Sequence, residues 1–266
     1  MLYRKYFEHV LTEHCNLKCE NCSMHSPFID PTFSDLEIFK KDLEEIAKVL
    51  RVDDFRFMGG EPTLHPNLVQ FAQEVRKSGI AKRIGICTNA VNAATWSDEL
   101  FAVLDFIEVS VYRETGINYN KINELFVEKQ KKFDFVAGQS NIGDDFMVMC
   151  ADTKLDTATA TKNYSKCVNR WSCHSFNNGK YYKCSITLAK NKYLANLGIP
   201  AAIDFLETDG VDLHKPKLED RLVEYVNRTT PMESCYYCHG TTAVVVQRKQ
   251  MTKEEIKTIR IFPKKD

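Results

Sequence analysis

The sequence predicts an α/β fold, an open, partial (β/α)6 barrel followed by a small cysteine-rich extension. Short runs of branched and aromatic residues alternate with amphipathic segments about every 25–30 residues, the pattern of βα units and a parallel sheet. Six candidate strands fall short of the eight in a closed barrel, so the barrel is read as open. Spacing alone is also met by a doubly wound sheet. Near Asp152 the alternation stops, and five of the ten cysteines lie beyond that point.

The elements follow in order. Residues 6–12 read as a strand. Ser34-Asp35-Leu36-Glu37 reads as a capping box, and Ile38, Phe39, Leu43, Ile46, Ala47 and Leu50 recur at helical spacing behind it. Residues 55–58 form the second strand, stopped by Gly59-Gly60. Pro66 opens a helix that buries Leu68, Val69, Phe71, Ala72 and Val75 and ends at Gly79. Residues 83–88 are a strand, 97–104 a helix, 106–112 a strand, 118–131 a helix and 133–136 a strand, with 146–150 as the sixth. The polar, Thr-rich stretch from Asp152 to Lys166 reads as a linker, and little helical periodicity follows before Glu219. The expected divisions are a core over 1–151, a cysteine region over 152–240, and a strand and tail over 241–266, with residues 262–266 a solvated terminus.

Composition narrows the function. Lys plus Arg is 36 and Asp plus Glu is 36, so the basic surplus of a nucleic-acid partner is missing. No run of 18 apolar residues marks a membrane span, and the N-terminus lacks a signal-like apolar segment, so a cytoplasmic protein is expected. Clustered thiols in a reducing compartment mean metal more often than disulfides. Cys87 and Cys150 stand apart in apolar strands and read as core residues.

Cys15, Cys19 and Cys22 place three thiols in one loop after the first strand. A structural zinc ion takes four ligands, and His14 or His25 could complete such a set. Met58-Gly59-Gly60-Glu61-Pro62 ends the second strand, where two glycines let backbone approach a ligand and a carboxylate suits an ammonium. Thr88-Asn89 ends the third strand, and Ser110 and Arg113 lie at the end of the fourth. All sit at C-terminal strand ends, where parallel α/β sheets bind ligands.

Together the cysteine spacing and the Gly59-Gly60-Glu61-Pro62 stretch resemble the signature of the radical S-adenosylmethionine superfamily, over residues 6 to about 150. The resemblance implies a TIM-like partial barrel and a [4Fe–4S] cluster held by Cys15, Cys19 and Cys22. The open iron of that cluster would bind S-adenosyl-L-methionine, which is split to a 5′-deoxyadenosyl radical. It also implies that Gly59, Gly60, Glu61 and Pro62 hold the amino group, that Thr88, Asn89, Ser110 and Arg113 contribute contacts, and that a flavodoxin- or ferredoxin-like protein is the reductant. Asn21 departs from the pattern, standing where the family has an aromatic residue.

Cys167, Cys173, Cys184, Cys235 and Cys238 form the second group. Gly179-Lys180-Tyr181-Tyr182-Lys183-Cys184 and the Cys235–Cys238 pair resemble the Twitch or SPASM iron–sulfur extension of that superfamily, which implies a second, auxiliary [4Fe–4S] cluster. Four places and five thiols leave Cys167 and Cys173 as alternatives, and a zinc ribbon remains open. Asn178-Gly179 reads as a hairpin turn. Three functions follow. The first is oxidation or epimerisation of a small polar metabolite, a sugar or aminocyclitol, with Glu13, His25 or Arg113 as base and Cys87 or Cys150 as hydrogen donor. The second is peptide modification, for which Cys15 comes too early to leave room for a recognition domain. The third is a non-enzymatic zinc or electron-transfer protein.

Overall fold

A computed structural model describes residues 1–140, 145–199 and 203–259. Five parallel strands alternate with four helices: β1 (Leu2–Thr12), α1 (Leu36–Ala47), β2 (Leu50–Gly59), α2 (Leu68–Ser78), β3 (Ala81–Thr88), α3 (Asp98–Val103), β4 (Phe106–Ser110), α4 (Tyr119–Gln130) and β5 (Val136–Ser140). The chain continues through β6 (Asp145–Met147), α5 (Thr157–Lys166), α6 (Asn169–Ser172), β7 (Ser175–Asn177), β8 (Lys180–Tyr182), α7 (Thr187–Asn196), α8 (Phe205–Thr208), β9 (Gly210–Asp212), α9 (Leu218–Val226), β10 (Val245–Gln247) and α10 (Lys253–Ile259). One sheet runs β5-β4-β3-β2-β1-β7-β8-β9, with β7 parallel to β1 and β8 and β9 antiparallel. The fold is the expected α/β partial barrel. Its sixth parallel strand, however, is β7, from beyond the break in the pattern. Residues 145–147 instead pair antiparallel with β10, in a separate ribbon.

Alternation along the strands separates two environments. Phe7, His9 and Leu11 of β1, and Phe55 and Phe57 of β2, are buried in a core with Phe39 of α1 and Phe71 of α2. Each buried Phe contributes up to about 3 kcal/mol of hydrophobic stabilisation. The other parity carries Glu8, Arg56 and Glu108. Glu8 stands directly opposite Arg56 in the β1–β2 register, and Arg56 donates to Glu8 at 2.7 Å and reaches Glu108 at 3.5 Å.

Local chemistry corrects three expectations. Asp35, not Ser34, caps α1, accepting from the amides of Glu37 and Ile38, while Ser34 Oγ donates to the Val10 carbonyl. The Thr-rich stretch read as linker ends in α5, because Asp156 accepts from the Thr159 amide and Ala160 and Tyr164 give the helix a buried side. Helix α7 carries no amphipathic signal because Thr187, Leu188, Ala189, Lys190 and Leu194 are all buried. The Asn178-Gly179 turn joins β7 to β8 with φ of 45° and 79°, the left-handed pair of a type I′ hairpin. Asp42 of α1 ties this turn to the core, accepting from the Gly179 amide at 2.7 Å. The terminus at 262–266 lies outside the described residues. No described helix is long and apolar enough to cross a membrane.

His9 is buried among Phe39, Phe71 and Phe176, and burial pushes its imidazole down to about 3. Below pH 6.5 the unfolded chain binds a proton at this position that the folded chain refuses, so acidification removes stability. The stability advantage of wild type over His9→Gln should therefore shrink by up to about 1.4 kcal/mol per pH unit as pH falls from about 6.5 towards 4. Urea unfolding of both apoproteins across that range measures it, and a pH-independent difference would contradict a neutral buried imidazole.

Candidate functional site

A cavity of about 370 Å³ opens at the C-terminal ends of the parallel strands. Cys15, Cys19 and Cys22 line it, facing Gly59, Gly60, Thr88, Asn89 and Ser110, with Glu8, Cys87 and Glu108 also in the lining. The loop from β1 places the three thiols, and the Gly59–Glu61 turn fixes where that loop starts. Gly59 has φ of 144°, and a Cβ there would lie 2.1 Å from the Thr12 carbonyl oxygen; at Gly60 it would lie 2.2 Å from that of His14. The amides of Gly60 and Glu61 donate to the carbonyls of Thr12 and His14, both at 2.8 Å. The glycines thus permit the strand end to approach the cysteine loop itself.

The Glu61 carboxylate does not face the cavity. It is fully buried, accepting from Thr63 Oγ1 at 2.6 Å, Thr88 Oγ1 at 2.7 Å, and the amides of Thr63 and Asn89 at 3.1 and 2.8 Å. Burial pushes its pKa up, and these donors oppose the rise. Pro62 follows as the first residue of a short 3₁₀ turn. The hydroxyl of Thr88 is spent on Glu61, whereas Asn89 Nδ2 donates to Asn16 Oδ1 at 2.7 Å and braces the loop beside Cys15. Asn21 lines the cavity at φ of 59°, a left-handed conformation that Asn adopts more readily than an aromatic residue does.

Arg113 does not line the cavity; the cation that does is Arg248, just after β10. Its guanidinium lies 4.9 Å from the ring centroids of both Tyr112 and Phe146 and donates to the Val111 carbonyl. The same segment closes on the cysteine loop. Gln250 Nε2 donates to Cys19 Sγ at 3.1 Å, and the Met251 amide donates to the Lys18 carbonyl at 2.8 Å. His14, His25 and Glu13 also lie outside the cavity lining. His25 stacks on Tyr193 at 3.9 Å, and Glu13 pairs with Lys192 at 2.7 Å.

Three loop thiols in one lining are donors of the type an iron–sulfur cluster takes. Burial pushes the Cys15 and Cys19 thiols up to about 12, so a cationic centre must displace their protons for them to act as thiolates. Ser26 Oγ, also in the lining, is buried without a hydrogen-bond partner among the described residues.

Four thiols line a second, smaller cavity: Cys167, Cys184, Cys235 and Cys238, together with Arg170 and Lys190. Cys173 is not among them. Its thiol lies against Ser172 at 3.6 Å and it neighbours Glu8, on the charged side of β1. The turn carrying Cys235 is fixed by Asp209, whose carboxylate accepts from the amides of Glu233 and Ser234, both at 2.8 Å. Gly240 donates its amide to Cys238 Sγ at 3.4 Å, and a Cβ on it would lie 3.5 Å from Cys167 Sγ. The two cysteines read as core residues separate: Cys87 lines the first cavity, and the backbone of Cys150, a free thiol, pairs antiparallel with that of Cys238 beside the second.

This strand-end cavity ringed by three loop thiols belongs to a radical S-adenosylmethionine domain. Residues 9–112, which carry these thiols and the glycine turn, match the model of the Radical SAM superfamily. Over 86 residues it is 36% identical to the tungsten-containing aldehyde ferredoxin oxidoreductase cofactor-modifying protein of Pyrococcus furiosus, covering 32% of this chain. Over 98 residues it is 33% identical to molybdenum cofactor biosynthesis protein 1 of Bos taurus, covering 35% of this chain. The chain spans 24% and 15% of the length of these two curated relatives. Among solved structures it is similar to BtrN in complex with AdoMet and 2-DOIA, with 12% identity, 90% of this chain and 94% of that chain covered, and a TM-score of 0.47. It is also similar to anSMEcpe with bound AdoMet, with 12% identity, coverage of 89% and 83%, and a TM-score of 0.47.

Glu61→Ala leaves the Thr63, Thr88 and Asn89 donors buried and unpaired, which should destabilise the apoprotein by about 2–4 kcal/mol. Denaturant unfolding measures the loss. An effect below about 0.5 kcal/mol, the usual range of surface substitutions, would show that Glu61 does not hold these strand ends.

Proposed function

We propose that this radical S-adenosylmethionine enzyme abstracts hydrogen from a small polar metabolite, a sugar or aminocyclitol, and oxidises or epimerises it. The observation that carries this reading is the first cavity, lined by the three thiols together with Glu8, Glu108, Asp145 and Arg248. When bound, the cluster on Cys15, Cys19 and Cys22 and S-adenosylmethionine supply the 5′-deoxyadenosyl radical. The chain's own residues do the rest. Gly59 and Gly60 offer backbone to the cofactor's amino group, and Asn89 keeps the loop in place. Ser110 and Arg248 flank the space beyond the thiols. Glu108, held near Arg56 and 3.6 Å from Cys87, is placed to accept a proton from substrate. Oxidation releases one further electron, for which an auxiliary [4Fe–4S] cluster on Cys167, Cys184, Cys235 and Cys238 is the acceptor. In epimerisation Cys87 would return a hydrogen atom to the substrate radical. A flavodoxin- or ferredoxin-like protein would supply the initial electron.

Anaerobic reconstitution tests the reading. We expect about eight irons per chain, two four-iron clusters, and 5′-deoxyadenosine after reduction with added S-adenosylmethionine. Cys15→Ala should abolish deoxyadenosine. Zinc in place of iron with S-adenosylmethionine intact, or turnover that needs a peptide, would overturn the proposal. The assignment of the fourth auxiliary ligand has its own check. Cys167→Ser should lower iron to about four per chain, while Cys173→Ser should leave about eight; the reverse pattern would return Cys173 to the ligand set.

A further inference from the structure

Lys190 and the half-buried Arg170 line the second cavity, Lys183 adjoins Cys184 in the chain, and among the described residues neither lysine forms an ion pair with an Asp or Glu. Lys190 on α7 is 1% exposed, and its ammonium donates to Cys150 Sγ at 3.3 Å and to the Tyr237 carbonyl at 3.4 Å. Lys183, fully buried and adjacent to Cys184, donates to Tyr164 Oη at 2.9 Å and to the Arg228 carbonyl at 3.1 Å. It also lies 5.5 Å from the ring centroids of both Tyr164 and Trp171. Arg170 lines the cavity, and its Nε is buried without a hydrogen-bond partner among the described residues. No described Asp or Glu forms an ion pair with Lys183 or Lys190, and none lines this cavity.

An ammonium removed from water is strongly disfavoured unless an anion or good hydrogen-bond acceptors replace the solvent. Lys190 and Arg170 in the lining, with Lys183 beside Cys184, outnumber the carboxylate of Asp209 near Cys235 and favour negative charge among the four thiols. Four thiolates around an iron–sulfur core provide it. The first cavity has the opposite character: Glu8, Glu108 and Asp145 line it, with Arg248 the cation in that lining. Net charge around a cluster, together with hydrogen bonds to its sulfurs, moves its reduction potential. Nearby cations favour the added electron, and nearby carboxylates oppose it.

We infer that Lys190, supported by Lys183 and Arg170, holds the second centre at a higher reduction potential than the first and so makes it the electron acceptor of the pair. This rests on the proposed cluster at Cys167, Cys184, Cys235 and Cys238. It favours net oxidation of substrate, because a centre poised to accept an electron draws off the one that a redox-neutral epimerisation would keep.

Potentiometry of the anaerobically reconstituted full chain, followed by electron paramagnetic resonance, tests it. The Cys15→Ala, Cys19→Ala, Cys22→Ala triple variant identifies the signal of the second centre. In wild type that centre should be reduced at the higher potential. Lys190→Met should shift its equilibrium towards the oxidised form about tenfold, which is 59 mV for one electron. Lys190→Arg, which keeps the charge, should leave it within about twofold, and Lys183→Met should shift it in the same direction as Lys190→Met. A second centre below the first in wild type, or no shift in a fully loaded Lys190→Met, would overturn the inference. If Lys190→Met takes up no iron, the wild-type ordering and Lys183→Met decide by the same criteria. Iron is counted before any potential is read. About four irons in wild type would instead reject the second cluster itself, an outcome distinct from a loaded centre with an unmoved potential.

Discussion

The first site depends on the close approach of two strand ends. The turn at Gly59 and Gly60 lies against the backbone of Thr12 and His14, and no side chain fits between them. From that contact β1 enters the cysteine loop in a fixed direction. The Glu61 carboxylate then joins the turn to the end of β3 through Thr88 and Asn89, and Asn89 extends the connection to Asn16 beside Cys15. A single buried carboxylate therefore links three strand ends. Side chains are thus absent from one layer of this contact and fully engaged in the next.

The charges inside the barrel form a second layer of organisation. Glu8 and Arg56 are cross-strand neighbours on the face opposite the phenylalanine core, and Glu8 also accepts from Ser185 Oγ at 3.0 Å, one residue after Cys184. Burial pushes the Glu8 carboxyl up while Arg56 pulls it down. Glu8, in the lining of the first cavity, is thus tied physically to the segment that carries Cys184. The extension is continuous with the core sheet, since β7 pairs with β1 and the strap after β10 returns to Cys19.

Several of these residues left a trace in the sequence that is visible once the strand faces are known. Glu8, Arg56 and Glu108 lie on β1, β2 and β4, and period-two alternation in the observed register places them together on the face opposite the phenylalanine core. Arg248 and Gln250 left none, because their role comes from a ribbon that pairs segments about a hundred residues apart. Arg113 sits at a strand end by count, yet the chain turns into a 3₁₀ helix there and carries it out of the cavity lining. Helix α7 was hidden for a related reason, since a helix buried on all sides shows no polar face to mark its period.

By itself the sequence determined the alternating α/β class, the loop with Cys15, Cys19 and Cys22, the glycine turn after β2 and the Asn178-Gly179 hairpin. Each is encoded by residues close together in the chain, where spacing and backbone preference act directly. Tertiary structure alone decided that Cys167, Cys184, Cys235 and Cys238 line the second cavity, while Cys173, beside Glu8 and Cys184, lies outside that lining. It likewise turned Glu61 inward and brought Lys190 and Arg170 to the second cavity. Those outcomes depend on packing between segments far apart in sequence, where burial and charge compensation choose among residues whose local patterns look alike.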